Sequence, residues 1–289
     1  MSVSFSTAIR SSFHRFLNRD SVIIERKNNF RSTALARKVE IDVFLPPDYF
    51  SGKETYPVLY FNDGQDMTAI QLEQTLEKLY FENKIQKIIV VAIHSGASRI
   101  QEYGTASQPD FAKRGSLAGK YTEFITQELM PYINSRYQTS NLPLHTAFAG
   151  FSLGGLSAMD ISWQHPELFS KVGVFSGSFW WRKKALDKGY TDADRIMHAI
   201  IKNSSPRKGM KFWFQTGTLD ETKDRNKNGI IDSIDDTLDL ISELESLGYT
   251  RKDTIRYLEI EGGRHDQETW GTALPDFLQW SFGISKIAN

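Results

Sequence analysis

His145-Thr146-Ala147-Phe148-Ala149-Gly150-Phe151-Ser152-Leu153-Gly154-Gly155-Leu156-Ser157-Ala158-Met159 is the stretch on which the reading of this chain turns. Its first half is a short apolar run that reads as a buried strand, and its second half is a small-residue stretch that reads as the start of a helix. Between them sits Gly150-Phe151-Ser152-Leu153-Gly154, a G-x-S-x-G pattern. The pattern puts a serine on a tight strand-to-helix turn, with glycines where a Cβ would clash. Ser152 is therefore the candidate nucleophile, its hydroxyl pushed out at the end of a sheet.

Working outward, the flanks supply the rest of that sheet. Val22 to Arg26 and Lys38 to Leu45 alternate apolar and polar residues like the half-buried strands of a hairpin, and Pro46-Pro47 ends the second. Tyr56 to Phe61 and Ile88 to Ile93 are continuous apolar runs, the mark of strands covered on both faces. Residues 68–82 read as a helix and residues 95–115 as a long polar loop. The next helix places Leu117, Tyr121, Phe124, Ile125 and Leu129 on one face. Val172 to Ser176, Lys211 to Thr216 and Thr254 to Glu259 read as further strands, and Thr269 to Phe282 as a closing helix. Antiparallel strands followed by β/α alternation predict an α/β fold with a mostly parallel central sheet, an antiparallel N-terminal hairpin and helices on both faces. Loops at the carboxyl ends of such strands gather on one edge, where sites form.

Composition bounds the rest. The 289 residues carry no net charge and no cysteine. Disulfides, thiolate catalysis and Cys-type zinc sites are thereby excluded, and nothing favours nucleic acid or a membrane as partner. Residues 1–289 read as a single domain, without repeats or a long linker. Met1 to Asp20 shows no apolar signal-peptide core, which gives a cytoplasmic expectation. Oligomeric state is not readable.

A serine hydroxyl needs a base, and the base a carboxylate to orient it. In this architecture the order along the chain is Ser, then Asp or Glu, then His. Two histidines follow at a suitable distance. His198 falls in a predicted helix, and His265 lies in Gly262-Gly263-Arg264-His265-Asp266 just past the last strand. His265 is the candidate base. For the acid, the loop after Lys211–Thr216 offers Asp220, with Glu221 and Asp224 as competitors. The tetrahedral intermediate needs two backbone donors: Leu153, which follows the serine, and Gln65 in the Gly64-Gln65 turn. Trp180, Trp181, Arg99 and Tyr103 are candidate substrate-binding residues.

A second pattern is separate from these. Asp224 to Asp235 carries oxygen-bearing side chains at loop positions 1, 3, 5, 9 and 12 and glycine at 6, the spacing of an EF-hand calcium loop with Asp in the last place. Asp224, Asn226, Asn228, Asp232 and Asp235, with the Ile230 carbonyl, are the candidate ligands of a structural Ca²⁺. No cofactor is expected for catalysis.

Tyr56 to Gln65, Arg99 with Glu102-Tyr103, Phe124 to Ile133, Ala149 to Leu156, Ser176 to Trp181 and Gly262 to Asp266 together resemble the esterase family that includes enterochelin esterases, S-formylglutathione hydrolases (esterase D) and feruloyl esterases. The resemblance runs from about Glu40 to Phe282. It implies an α/β-hydrolase fold and hydrolysis of small-molecule carboxylic esters, with Ser152 matching the nucleophile and His265 the base. The acid matches Asp220 less tightly, because the calcium-like loop follows where relatives have a simpler turn. Esters of siderophore lactones, or feruloyl and acetyl sugar esters, are the specialised alternatives. A hydrolase fold retained for carbohydrate or protein binding is the non-enzymatic one.

Overall fold

β1 (Ile23–Ser32) and β2 (Arg37–Leu45) open the computed structural model, which describes residues 21–284, as an antiparallel hairpin with a register shift between Lys27 and Phe30. The Met1 to Asp20 segment lies outside the described residues. β2 then pairs antiparallel with β4 (Ile89–Ile93). From there every pairing is parallel: β4 with β3 (Val58–Asn62), β3 with β5 (Thr146–Phe151), then β6 (Lys171–Phe175), β7 (Lys211–Leu219) and β8 (Ile255–Arg264) in turn. The eight-stranded order is β1-β2-β4-β3-β5-β6-β7-β8. All residues of β3, β4 and β5 are buried, as a strand covered on both faces requires.

Two apolar layers close over the sheet. One is built on α1 (Leu72–Phe81) and the C-terminal helix Gln267–Phe282, with Leu76, Trp270, Phe277 and Leu278 packed on Leu59, Phe61 and Ala149. The other gathers Tyr121, Phe124, Leu156, Trp163, Phe212 and Leu240 against Tyr60, Phe148 and Val172. The order reverses between β3 and β5. The chain steps outward to β4 after β3, then returns to lay β5 on the other side. In open parallel sheets a crevice forms at such a switch point. The turns after β3 and β5 hold Gly64-Gln65 and Ser152.

Two expectations change in detail. The 95–115 segment is more than a polar loop, although much of it is exposed. It contains a helical turn, Arg99–Glu102, and Glu102, Tyr103, Thr105 and Asp110 are buried within it. Its polar residues are there to be paired. Glu102 takes both Nε and Nη2 of Arg37 at 2.7 and 2.6 Å, and the Gly104 and Ala106 amides bond Ser157 and Asp160 at 3.0 and 2.8 Å. Periodicity cannot distinguish a buried ion pair from a wet one. The helix that follows also runs further than its apolar face suggested, from Ala118 to Arg136, widening to a π-turn over Phe124–Leu129 ahead of Pro131.

Candidate active site

Ser152 sits where β5 turns into the helix Leu153–Gln164, with φ 54° and ψ −121°. A non-glycine residue held at positive φ is strained and persists only where the surroundings impose it. Here they do. A Cβ on Gly150 would lie 2.4 Å from the Gly154 carbonyl carbon, and one on Gly154 would lie 2.7 Å from an Asp63 carboxylate oxygen. Gly150 lets the turn close to within backbone contact, and Gly154 makes room for the Asp63 and Asn62 side chains at the end of β3. Ser152 N–H donates to the Phe175 carbonyl at 2.9 Å, which ties the turn to β6.

Behind the turn lies a buried polar lattice. Asn62 Nδ2 donates to the Gly154 carbonyl at 2.8 Å, and Tyr121 donates to Asn62 Oδ1 at 2.6 Å. Asp63 holds Arg99 through both carboxylate oxygens at 2.7 Å, and its own N–H reaches the Tyr103 hydroxyl at 3.3 Å. The end of β3 and the serine turn are thus one rigid unit. Gln65 stands on the next turn, Gly64–Asp66, a short 3-10 helix. Leu153 is the first residue of its helix, and the amides of a first turn have no acceptor within the helix.

β7 and β8 bring up the remaining groups. Asp220 follows β7 with a wholly buried side chain, and its Oδ1 lies 3.8 Å from His265 Nδ1. Gly217 N–H donates to its Oδ2 at 3.1 Å and Ser176 Oγ to its Oδ1 at 3.0 Å. Burial pushes the Asp220 carboxyl above its ordinary range, opposed by these two donors and by His265. His265 follows β8. Its side chain is 39% exposed, and the burial of the rest holds the imidazole below the usual value, partly offset by the Asp220 charge, with Arg99 adding to the depression. Its ring packs edge-on against Trp270 at 5.2 Å. Asp266 caps the next helix through Thr269 N at 2.9 Å, so the residue before it is fixed in place.

Of the competing groups, His198 is buried, bonds the Asp236 carbonyl at 2.8 Å through Nε2, and is pushed by burial to a pKa of about 3. It stays neutral in the core. Asp224 accepts the Asn228 and Gly229 amides of its own loop at 3.1 and 2.9 Å. Glu221 lies among Asp232, Lys223 and Asp236 and is raised chiefly by burial. Of the three candidate acids, Asp220 is the one paired with His265.

The four candidate substrate-binding residues divide. Tyr103 and Trp181 are fully buried, so the expectation that they face substrate is corrected. Trp181 fills the space above Gly104 and Gly115, where a Cβ would come within 2.9 Å of its ring. Their aromatic area is spent on the core. Arg99 keeps a third of its side chain exposed beside Asp63, and Trp180 is half-buried under the Arg114 guanidinium, 4.8 Å away. Ser176 and Ser178 were not singled out from sequence as site residues. Their signal was position, at the carboxyl end of the strand next to the serine strand.

In the Asp224–Asp235 loop, Asp235 Oδ2 accepts the side-chain amides of Asn226 and Asn228 at 2.9 and 2.8 Å, and Asp232 Oδ1 accepts Arg225 N–H at 2.8 Å. Among the described residues no three His, Cys, Asp or Glu side chains converge as a metal centre. Nor, among them, is any helix long and apolar enough to cross a membrane.

A profile of the family described as "Putative esterase" matches residues 32–281. The chain belongs to this family. It is a carboxylic-ester hydrolase with an α/β-hydrolase fold. It is 24% identical over 249 residues to the uncharacterized protein YbbA of Bacillus subtilis, covering 84% of this chain and 92% of that one. A solved ferulic acid esterase superposes with a TM-score of 0.68 at 20% identity, over 90% of this chain and 97% of that chain. The enterobactin esterase FES from Shigella flexneri gives 0.69 at 18% identity, over 90% of this chain but 58% of the other. These two likenesses concern the fold.

Proposed function

We propose that the chain hydrolyses carboxylic esters through Ser152 as nucleophile, His265 as general base and Asp220 as the carboxylate that orients it. The observation that carries this is the pairing of His265 with a buried carboxylate at the sheet edge where Ser152 is held at positive φ. Ser152 Oγ attacks the ester carbonyl carbon while His265 takes its proton. The oxyanion is received by the Leu153 and Gln65 amides. His265 then returns the proton to the departing alkoxide, leaving an acyl-Ser152. Water attacks this with His265 again as base, releasing the acid and restoring the serine. A depressed His265 pKa keeps the imidazole unprotonated at neutral pH, as a base must be.

Of the four candidate substrate-binding residues, Trp180 and Arg99 are the two left with exposed surface. They suit an ester with a planar or anionic part, a class consistent with the ferulic acid and enterobactin esterases that share the fold. The test is hydrolysis of p-nitrophenyl acetate and butyrate, with fluorophosphonate labelling, in the wild type and in Ser152→Ala. Activity and labelling lost together in Ser152→Ala support the reading. A wild type that neither hydrolyses nor labels refutes it.

For the Asp224–Asp235 loop we propose a structural Ca²⁺ site. Asp224, Asn226, Asn228 and Asp235 already converge on one another. Turning the two amides over would present oxygens to an ion bound beside Asp235. The Ile230 carbonyl is the candidate backbone ligand. Asp232 is committed to Arg225, so its share would pass through a water, as the ninth position often does. The ion would supply charge neutralisation and order to the loop, and no step of hydrolysis.

A further inference from the structure

We infer that Ser176-Gly177-Ser178, the turn after β6, braces the two ends of the catalytic array: Ser178 as a donor to the nucleophile oxygen, Ser176 as a positioning residue for the acid. The inference rests on the triad proposed above. Ser152 Oγ and Ser178 Oγ are 3.2 Å apart, and among the described residues Ser178 is the one side chain hydrogen-bonded to that hydroxyl. Ser178 N–H also donates to the Ser152 carbonyl at 3.1 Å, so backbone and side chain both hold the turn. Both serines of the brace are buried, at 2% and 3% exposure, which removes water as a competing partner.

The directions of these bonds follow from which groups can donate. Trp270 Nε1 is a donor only and reaches Ser176 Oγ at 3.0 Å. Ser176 therefore accepts from the indole, and its own proton is free for Asp220 Oδ1 at 3.0 Å. The chain Trp270 to Ser176 to Asp220 aims a proton at the carboxylate and keeps it ionised beside His265. At Ser152 either hydroxyl can donate in the resting enzyme. Once His265 has taken the Ser152 proton, only Ser178 retains one. Its O–H then points at the serine oxygen while that oxygen is alkoxide-like, before the forming bond passes the charge on to the carbonyl oxygen. The backbone is shaped for this. Ser176 is held at φ 45°, and a Cβ on Gly177 would fall 2.5 Å from Val174 Cγ1, so the turn folds tightly enough for both hydroxyls to face the site.

The two serines have separable signatures. Ser178→Ala removes a donor to a charged oxygen. It is expected to slow fluorophosphonate labelling of Ser152 and kcat by about ten- to a hundred-fold, with KM and the pH profile unchanged. Ser178→Thr keeps the hydroxyl and is expected to recover most of the rate. Ser176→Gly removes its hydroxyl without opposing the positive φ. The Asp220 carboxylate then loses a donor that favours its charge and takes up a proton more readily; because full activity needs the carboxylate ionised as well as the imidazole neutral, the acid limb of kcat/KM is expected to move to higher pH. Melting temperature, measured for each variant, identifies loss of fold. Labelling of Ser178→Ala at the wild-type rate, or an equal loss in Ser178→Thr and Ser178→Ala at unchanged melting temperature, overturns the role of Ser178. An unmoved acid limb in Ser176→Gly overturns that of Ser176. A wild type unlabelled at Ser152 overturns the esterase reading itself, and the brace with it.

Discussion

The serine edge and the Asp224–Asp235 loop were the two sharpest patterns in the sequence, and the structure treats them in opposite ways. At the serine edge, residues from β3, β5, β6, β7 and β8 meet, and the groups that hold the reacting side chains are buried and come from several elements, while His265 itself keeps 39% of its side chain exposed. Ser152 is fixed by β6, Asn62 by Tyr121, and Asp220 by Ser176 and Gly217. The loop is exposed at its tip, and its carboxylates there bond amides of the loop itself. Long-range partners over-determine a geometry. Local partners only close a turn. One region is preorganised without a ligand, and the other is expected to depend on one.

The contrast predicts that damage at the edge abolishes chemistry without unfolding. Ser152→Ala should lower kcat on p-nitrophenyl esters by about 10⁴-fold or more, because a triad acts as a unit. Its melting temperature should stay within a few degrees of wild type. Comparable residual activity in the variant would move the nucleophile elsewhere. Asp220→Asn is next, with a loss of about 10²- to 10⁴-fold from a base left unoriented, whereas Glu221→Gln should be close to neutral. If Glu221→Gln proved the damaging change, the assignment of the acid would be reversed.

The pH profile tests the same edge more finely. Burial holds His265 below 6.5, and the Asp220 charge works against that depression. Activity needs the neutral imidazole, so kcat/KM should rise through an acid limb lying below pH 6.5 and be level at neutrality. In Asp220→Asn the opposing charge is gone and the residual limb should move lower still. A limb above pH 7 in the wild type would mean that the Asp220 charge outweighs the partial burial of the imidazole.

Stability, by contrast, should be most sensitive on the loop's inner flank. Arg195 and Asp236 are both nearly buried and bonded at 2.6 Å, and Arg225 adds a second guanidinium to the same carboxylate. Asp236→Ala would remove the buried carboxylate that the two guanidiniums share, leaving Arg195 with Asp239 and Arg225 with Asp232, at a cost of about 1–3 kcal/mol. Denaturant unfolding measures this directly. A cost near zero would show that water reaches the cluster freely.

How much of this was legible in the chain follows the same division. The strands of the parallel sheet were readable because burial on both faces leaves an unbroken apolar run, as in Tyr56–Phe61 and Ile88–Ile93. The serine turn was readable because its glycines are forced by close contact. Pairing of charges was not. Glu102 with Arg37, and Asp63 with Arg99, are separated by tens of residues, and only the fold shows that each carboxylate is buried beneath its guanidinium. The burial of Tyr103 and Trp181 was hidden for a related reason. An aromatic at a sheet edge reads alike whether it lines a pocket or fills the space over Gly104 and Gly115. Ser176 and Ser178 carry no spacing signal of their own, since their meaning comes from strands adjacent in space.

The smallest predicted effect is the one that decides what the loop is for. If Asp224, Asn226, Asn228 and Asp235 take up Ca²⁺, the ion binds the folded chain and not the unfolded one, and mass action stabilises it. At a hundred-fold excess over Kd that is about 2.7 kcal/mol, or roughly 4–5 °C in melting temperature for a domain of this size. EDTA should remove the shift, Mg²⁺ should not restore it, and Asp224→Ala should be insensitive to either. Because the loop begins four residues past Asp220, any effect on kcat should be modest and run parallel to the loss of order there. A melting temperature indifferent to calcium would leave the spacing as a helix-capping turn. A large loss of activity without a change in melting temperature would instead couple the ion to the acid, and the separation between the two regions would fail.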